Sequence, residues 1–184
     1  MTHTGEHSVT FSLDEFVREA RSAAAQEHSV SAVNRLMART FADPGAISAA
    51  VQPMGSGDEP LFEDEQVSVY WVSFAPQELV PPHNHKMPAF LGVYQGIEVN
   101  RLYRRSNSGS LEAIKEKRMQ PGDTLSLGGE GIHSVYAEGD APSLGLHIYL
   151  GPLSTIEREL FDSETGEAMP FTTENYQNLL RPLE

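Results

Sequence analysis

Two histidines, His83 and His85, stand two residues apart in the run PPHNHKMPAFLGVYQG, with Asn84 between them. The run reads as strand, histidine pair, then strand again. Side chains alternate across a β-strand, so residues i and i+2 share a face. Two imidazoles on one face can hold one metal ion. A third, His133, lies in GEGIHSVYA, between segments that also read as strands. The chain has no cysteine. Disulfides, thiolate metal sites and cysteine nucleophiles are therefore excluded, and a metal must be held by His, Asp or Glu. Imidazole suits Fe, Zn, Cu and Ni, so ligand type alone does not choose among them. Three neutral imidazoles leave an ion its full charge of about +2 and several open positions. Such a centre favours an anionic ligand, and metal coordination would deprotonate a thiol. His3, His7 and His28 read as surface residues. Asp123 and Glu130 read as turn residues rather than ligands.

A second constellation lies near the end of the chain. Leu144, Leu146, Ile148 and Leu150 alternate with Gly145, His147 and Tyr149. The first set should pack into the core and the second should face a pocket. A buried phenol needs a partner, and His147 can orient Tyr149 from two residues away. A serine at position 145 either fits, with its hydroxyl meeting His147, or crowds the pocket if that face has been reshaped for another ligand. Arg158 offers a planar fork suited to a carboxylate. It also stands between Glu157 and Glu159, so a solvated ion-pair network is the competing reading. Arg101, Arg104 and Arg105 read as a charged strand edge. Tyr70 and Trp71 are adjacent and must point opposite ways.

These residues need a frame. Residues 12–52 read as helical, within an N-terminal segment of residues 1–52 expected to pack on a barrel. Ser12 and Glu15 have capping-box spacing, and Leu13, Phe16, Val17, Ala20 and Ala24 form one apolar stripe. Val30, Val33, Leu36 and Met37 suggest a second helix. Asp43-Pro44 suits the N-cap and first position of a third. Residues 53–60 (PMGSGDEP) read as a turn-rich linker. Beyond it the period changes. Val67–Phe74, Pro88–Tyr94, Ile97–Arg104, Leu111–Arg118, Thr124–Leu127, Ile132–Ala137 and Leu144–Leu150 read as short strands punctuated by Gly, Pro, Asn and Asp. Strands at this spacing predict a jelly-roll barrel over 53–184, mainly β, with residues 152–184 as an extension of little period.

The chain has 184 residues and a formal net charge of −13. The length suits one ordinary domain with a small extension. The charge repels nucleic acid and anionic membranes, so neither is an expected partner. No stretch approaches the roughly 20 apolar residues that span a bilayer. The opening run MTHTGEHSVTF lacks a basic n-region and an apolar h-region, so no secretory signal and a cytoplasmic location are expected. No oligomeric state follows from the sequence.

The pattern resembles the cupins. Their first motif ends in HxH, a Glu a few residues on, and a Gly after that. His83, His85 and Gly96 match, while Ala89 holds the Glu position. The second motif opens Gly-Asp and carries a later His, as do Gly122, Asp123 and His133. Three histidines without the carboxylate mark the thiol dioxygenases, the cysteine dioxygenase-like branch. VSVYWVSFAPQELVPPHNH, FLGVYQGIE and LHIYLGPLSTIEREL resemble the bacterial 3-mercaptopropionate dioxygenases in order and spacing, over roughly residues 60–172. That resemblance implies a cupin jelly roll (double-stranded β-helix) with Fe(II) on His83, His85 and His133. It implies oxidation of a small thiol carboxylate by O2, with Tyr149 and His147 at the reacting centre and Arg158 on the carboxylate. The family's Ser-x-His-x-Tyr run reads Gly145-Leu146-His147-Ile148-Tyr149 here, so the Ser is missing. The alternatives are a three-His cupin oxygenase or oxidase with a non-thiol substrate, and a non-catalytic metal-binding cupin.

Overall fold

A computed structural model describes residues 10–55, 57–107 and 109–183. His3 and His7 lie outside the described residues. The chain opens with three helices, α1 (Leu13–Ala24), α2 (Ser29–Thr40) and α3 (Pro44–Ala50). Their starts follow from their caps. The Ser12 hydroxyl accepts from the Glu15 amide at 3.4 Å, and the Asp43 carboxylate accepts from the Ala46 amide at 3.0 Å with Pro44 in the first turn. Phe16, Ala20, Val33, Leu36 and Met37 are buried against the sheet residues Trp71, Phe90, Leu146 and Ile148. Val30 falls off this stripe and is exposed, as is His28.

Eight strands make the barrel: β2 (Ser68–Phe74), β3 (Glu78–His83), β4 (Ala89–Gln95), β5 (Glu98–Arg105), β6 (Leu111–Met119), β7 (Thr124–Leu127), β8 (Ile132–Ala137) and β9 (Ser143–Tyr149). Their antiparallel partners nest: β5 with β6, β4 with β7, β3 with β8, and β2 with β9. A long hairpin wound into a helix makes this pairing. The wound turns then join laterally, β4 to β9 and β5 to β8. The result is a mainly β jelly roll, as the strand spacing predicts, wound as a double-stranded β-helix. One sheet runs β1-β2-β9-β4-β7, with β1 spanning Gly57–Glu63, and the other contains β10-β3-β8-β5-β6.

Three expectations are corrected. Residues 57–60 are not linker but the start of β1, an antiparallel edge strand paired with β2 and bulged between Pro60 and Phe62. Its polar, proline-bearing composition conceals a strand, because an edge tolerates both charge and Pro. Residues 152–183 are also structured. They carry β10 (Glu159–Phe161), β11 (Ala168–Pro170), α4 (Thr173–Leu179) and β12 (Arg181–Pro182). The three strands are too short for period to reveal. Lastly, Arg101 and Arg104 do not lie on an edge. β5 is an interior strand, and both side chains cross to Glu116 and Glu112 of β6, at 3.2 and 2.7 Å. No helix among the described residues is long and apolar enough to cross a membrane.

Candidate metal centre

The register places two of the three histidines directly. His83, the last residue of β3, is the antiparallel partner of His133 in β8, with ring centroids 4.5 Å apart. His85 arrives differently from the expectation. It lies beyond the end of β3, in the connection to β4, where Lys86 adopts a left-handed φ of 56°. The shared strand face therefore does not carry the pair; the loop folds His85 back to ring distances of 5.0 and 5.1 Å from His83 and His133. One nitrogen from each imidazole falls within 4.8 Å of the others. All three residues are buried.

Hydrogen bonds set which nitrogens face inward. His83 Nδ1–H donates to the Pro81 carbonyl at 3.0 Å, leaving Nε2 free. His133 Nδ1–H donates to Asn100 Oδ1 at 2.7 Å, and its Nε2 is buried without a partner. His85 Nδ1 is likewise buried and unpartnered. Buried polar atoms are ordinarily satisfied, so orphaned imidazole nitrogens within one buried three-histidine cluster fit a site that holds a metal ion. Burial drives the pKa of His83 down to about 4, helped by nearby Arg158. His85 and His133 are pushed well below the ordinary range, by burial first and then by His83. The three rings are therefore neutral, as ligation requires. Asn100 is anchored in turn: its Nδ2 donates to Glu98 Oε1 at 2.7 Å. Such partners orient a ligand and fix its tautomer.

The facing sheet supplies the second constellation. Leu144, Leu146 and Ile148 point to the helices, while His147 and Tyr149 line the cavity that holds the histidines. The Tyr149 ring lies 5.0 Å from the His85 ring. His147 Nδ1 and the Tyr149 hydroxyl are hydrogen-bonded at 3.1 Å. If Nδ1–H is the donor, the phenolic proton stays free for the cavity. Burial lowers His147 to about 3 and raises Tyr149 well above its ordinary value, so both are neutral near pH 7. At Gly145 the crowded alternative holds. A Cβ there would stand 2.5 Å from the Gly92 carbonyl oxygen. Serine therefore does not fit without moving backbone. Gly92 in turn packs closely on the Phe41 ring, which a Cβ there would strike at 2.3 Å. Ala89, at the position of the cupin Glu, is fully buried in an apolar cluster with Leu91, Leu127 and Tyr149.

Arg158 joins the same cavity, which measures about 270 Å³. Its guanidinium stacks on Phe171, 3.6 Å from the ring centroid. The ion-pair network considered from sequence forms without it. Glu159 pairs with Lys86 at 2.8 Å and accepts from Asn84 Nδ2 at 2.8 Å. Among the described residues no ion pair within 4.0 Å involves Arg158. Asp123 serves a turn, accepting from the Gln120 amide at 3.0 Å, and Glu130 reaches Lys86 at 3.5 Å.

Several site residues escaped the sequence reading. Glu98 and Asn100 share the inner face of β5 and were detectable by alternation, being buried polar residues within a recognised strand. Asp58 was hidden in the supposed linker. Its partner Val72 faces the barrel interior, and Asp58 lines the cavity beside it. Phe171 and Tyr176, also on the wall, come from the extension that showed no period.

The fold and the site define a double-stranded β-helix with an interior three-histidine group able to hold one metal ion. No family model matches the sequence. Structural likeness extends to a cupin superfamily protein from Desulfitobacterium hafniense DCB-2 (TM-score 0.42, 20% identity, 58% of this chain and 85% of that one). It extends also to a DMSP lyase from Ruegeria pomeroyi DSS-3 (TM-score 0.48, 18% identity, 59% of this chain and 52% of that one). A third is a Klebsiella pneumoniae protein with a double-stranded β-helix domain (TM-score 0.44, 15% identity, 60% of this chain and 84% of that one). The chain spans about half the length of the lyase. Likenesses at these scores carry no argument about chemistry, which rests on the site itself.

Proposed function

We propose that this protein is an Fe(II)-dependent thiol dioxygenase acting on a small thiol carboxylate. The reaction is RSH + O2 → RSO2− + H+, in which both oxygen atoms pass to sulfur and the thiol proton is released. The observation that carries this reading is the pairing of opposite wants in one cavity. A three-imidazole centre, with no carboxylate among its ligands, favours a thiolate. Arg158, on the wall of the same cavity and with no ion pair within 4.0 Å among the described residues, favours a carboxylate.

When bound, the ion would supply a Lewis-acidic point for the thiolate and for O2. The remaining work belongs to the chain. His83, His85 and His133 would hold the ion, kept neutral by burial and aimed by Pro81 and Asn100. Arg158, braced flat on Phe171, would fix the carboxylate and hence the reach of the sulfur. Tyr149 would donate its proton as a hydrogen bond toward the reacting atoms, with His147 holding the phenol in place. The buried walls would exclude water from the sulfur.

One observation favours a non-thiol oxygenase or oxidase instead. His147 Nε2 is buried with no partner where the family's Ser hydroxyl would serve it. Anaerobic reconstitution with Fe(II), followed by oxygen uptake and sulfinate detection with 3-mercaptopropionate and cysteine, tests the proposal. Sulfinate formed with one O2 consumed per thiol supports it. Iron bound with no thiol turnover promotes the non-thiol reading, and no oxygen consumption with any substrate favours a binding protein.

A further inference from the structure

Asp58 is a charged residue on the cavity wall to which the proposed reaction assigns no role. It enters from β1, opposite Val72, at the solvent-open side of the cavity that holds the three histidines and Arg158. Burial, opposed by the Arg158 charge, lifts the Asp58 carboxyl to about 6, which leaves it ionised near pH 7, yet no ion pair within 4.0 Å joins the two. Two opposite charges on the walls of one small cavity, close enough to interact and too far to touch, leave a gap. A ligand that brings an anion to Arg158 and a cation to Asp58 fills it and satisfies both. A ligand with the anion alone would leave Asp58 facing its own carboxylate, an unfavourable like-charge approach.

We propose that Asp58 is a cation subsite that selects ligands carrying an ammonium group as well as the carboxylate bound by Arg158. The preferred class is then a zwitterionic amino thiol acid rather than a simple mercapto acid. This rests on Arg158 as the carboxylate anchor. It does not rest on the sulfur chemistry, because the two charges read only the ligand's charged ends. The alternative role, Asp58 as a mere counter-charge for Arg158, makes a different prediction. Removing a counter-charge would tighten every carboxylate ligand alike, with no dependence on an amino group.

The test is calorimetric titration of the metal-loaded protein under argon with two matched pairs. L-cysteine is compared with 3-mercaptopropionate, and L-serine with 3-hydroxypropionate. Wild type should bind the amino member of each pair about fivefold more tightly, the upper range for an ion pair open to solvent. Asp58→Asn should bring the ratio to about one, and Asp58→Glu should retain a preference. Equal binding within the pairs by wild type, a preference that survives Asp58→Asn, or no binding of any of the four compounds overturns the proposal. Sulfinate from either thiol is measured separately. An Asp58-dependent amino preference without sulfinate keeps the subsite and removes the dioxygenase reading. Sulfinate without an amino preference keeps the dioxygenase and removes the subsite.

Discussion

Restoring the serine of the Ser-x-His-x-Tyr run would look conservative from the sequence, since Gly145→Ser adds one small hydroxyl near His147. The structure favours the crowded alternative. An ideal Cβ at 145 meets the Gly92 carbonyl oxygen at 2.5 Å, about 1 Å inside ordinary contact, and Val72 Cγ2 at 3.2 Å. The oxygen belongs to the backbone of β4, which pairs with β9 and cannot swing aside as a side chain would. Overpacking of this kind costs roughly 1–3 kcal/mol. The serine hydroxyl can return about 1 kcal/mol by meeting His147 Nε2, which lies 3.5 Å from the Cβ position. The clash wins. Gly145→Ala bears the clash without the return. At roughly 2–4 °C per kcal/mol for a chain of this size, Gly145→Ala should lower Tm by about 5 °C and Gly145→Ser by about 3 °C. Scanning calorimetry of wild type and both variants measures it, and oxygen uptake should fall in both because β9 also carries His147 and Tyr149. A Tm for Gly145→Ala equal to that of wild type would refute the steric argument.

Four further outcomes follow from the site. His83→Ala, His85→Ala and His133→Ala should each lose most bound metal, and full occupancy in any variant, measured by elemental analysis, would remove that residue from the ligand set. Asn100→Leu takes away the acceptor for His133 Nδ1–H and should weaken metal affinity by about 10–100-fold in a chelator competition, with the fold intact by circular dichroism. Arg158→Lys should weaken binding of thiol carboxylates by about tenfold or more while leaving carboxylate-free thiols unaffected; equal losses would mean a structural role. Burial lifts Glu98 to about 7 from an ordinary 4.5. A raised carboxyl pKa gives stability that is complete below pH 4.5 and is lost as pH rises through 7. Glu98→Gln should therefore match wild type near pH 4.5 and exceed it by roughly 3 kcal/mol at pH 8 in urea unfolding, and a difference independent of pH would count against the burial argument.

The parts of the fold that the sequence revealed are those where a period repeats long enough to be read. β4, β8 and β9 alternate or run apolar over six or seven residues, and α1 shows a capped stripe; each appears where expected. β10 and β11 have three residues each and offer no period. β1 reads GDEPLFE, a composition that an edge strand tolerates and a linker shares. The candidate site follows the same division. His147 and Tyr149 sit in a long strand whose alternation assigns them to the cavity face, and His133 sits in a strand legible in the sequence. Asp58 and Phe171 sit in the unreadable pieces and were not found. Gly145 was read as a pocket residue because alternation reports only which face a residue uses. It does not report that the neighbouring strand's carbonyl occupies that face.

His85 shows how the fold can reach an expected site by an unexpected route. The HxH spacing predicts two ligands on one strand face, yet β3 stops at His83 and the second ligand depends on a loop. That loop is held by its middle residue. The Asn84 amide donates to the Glu159 carbonyl at 3.1 Å, its Oδ1 accepts from the Glu159 amide at 3.0 Å, and its Nδ2 reaches the Glu159 carboxylate. Lys86 grips the same carboxylate from the other side of His85. Glu159 is the residue after Arg158. The residue between two of the three histidines thus ties the metal loop to the segment that carries the guanidinium. Distance between the three-histidine centre and Arg158 is therefore set by three hydrogen bonds and one ion pair, not by the barrel alone. A change at Asn84 would loosen the metal loop and the carboxylate anchor together, which joins the two halves of the site into one mechanical unit.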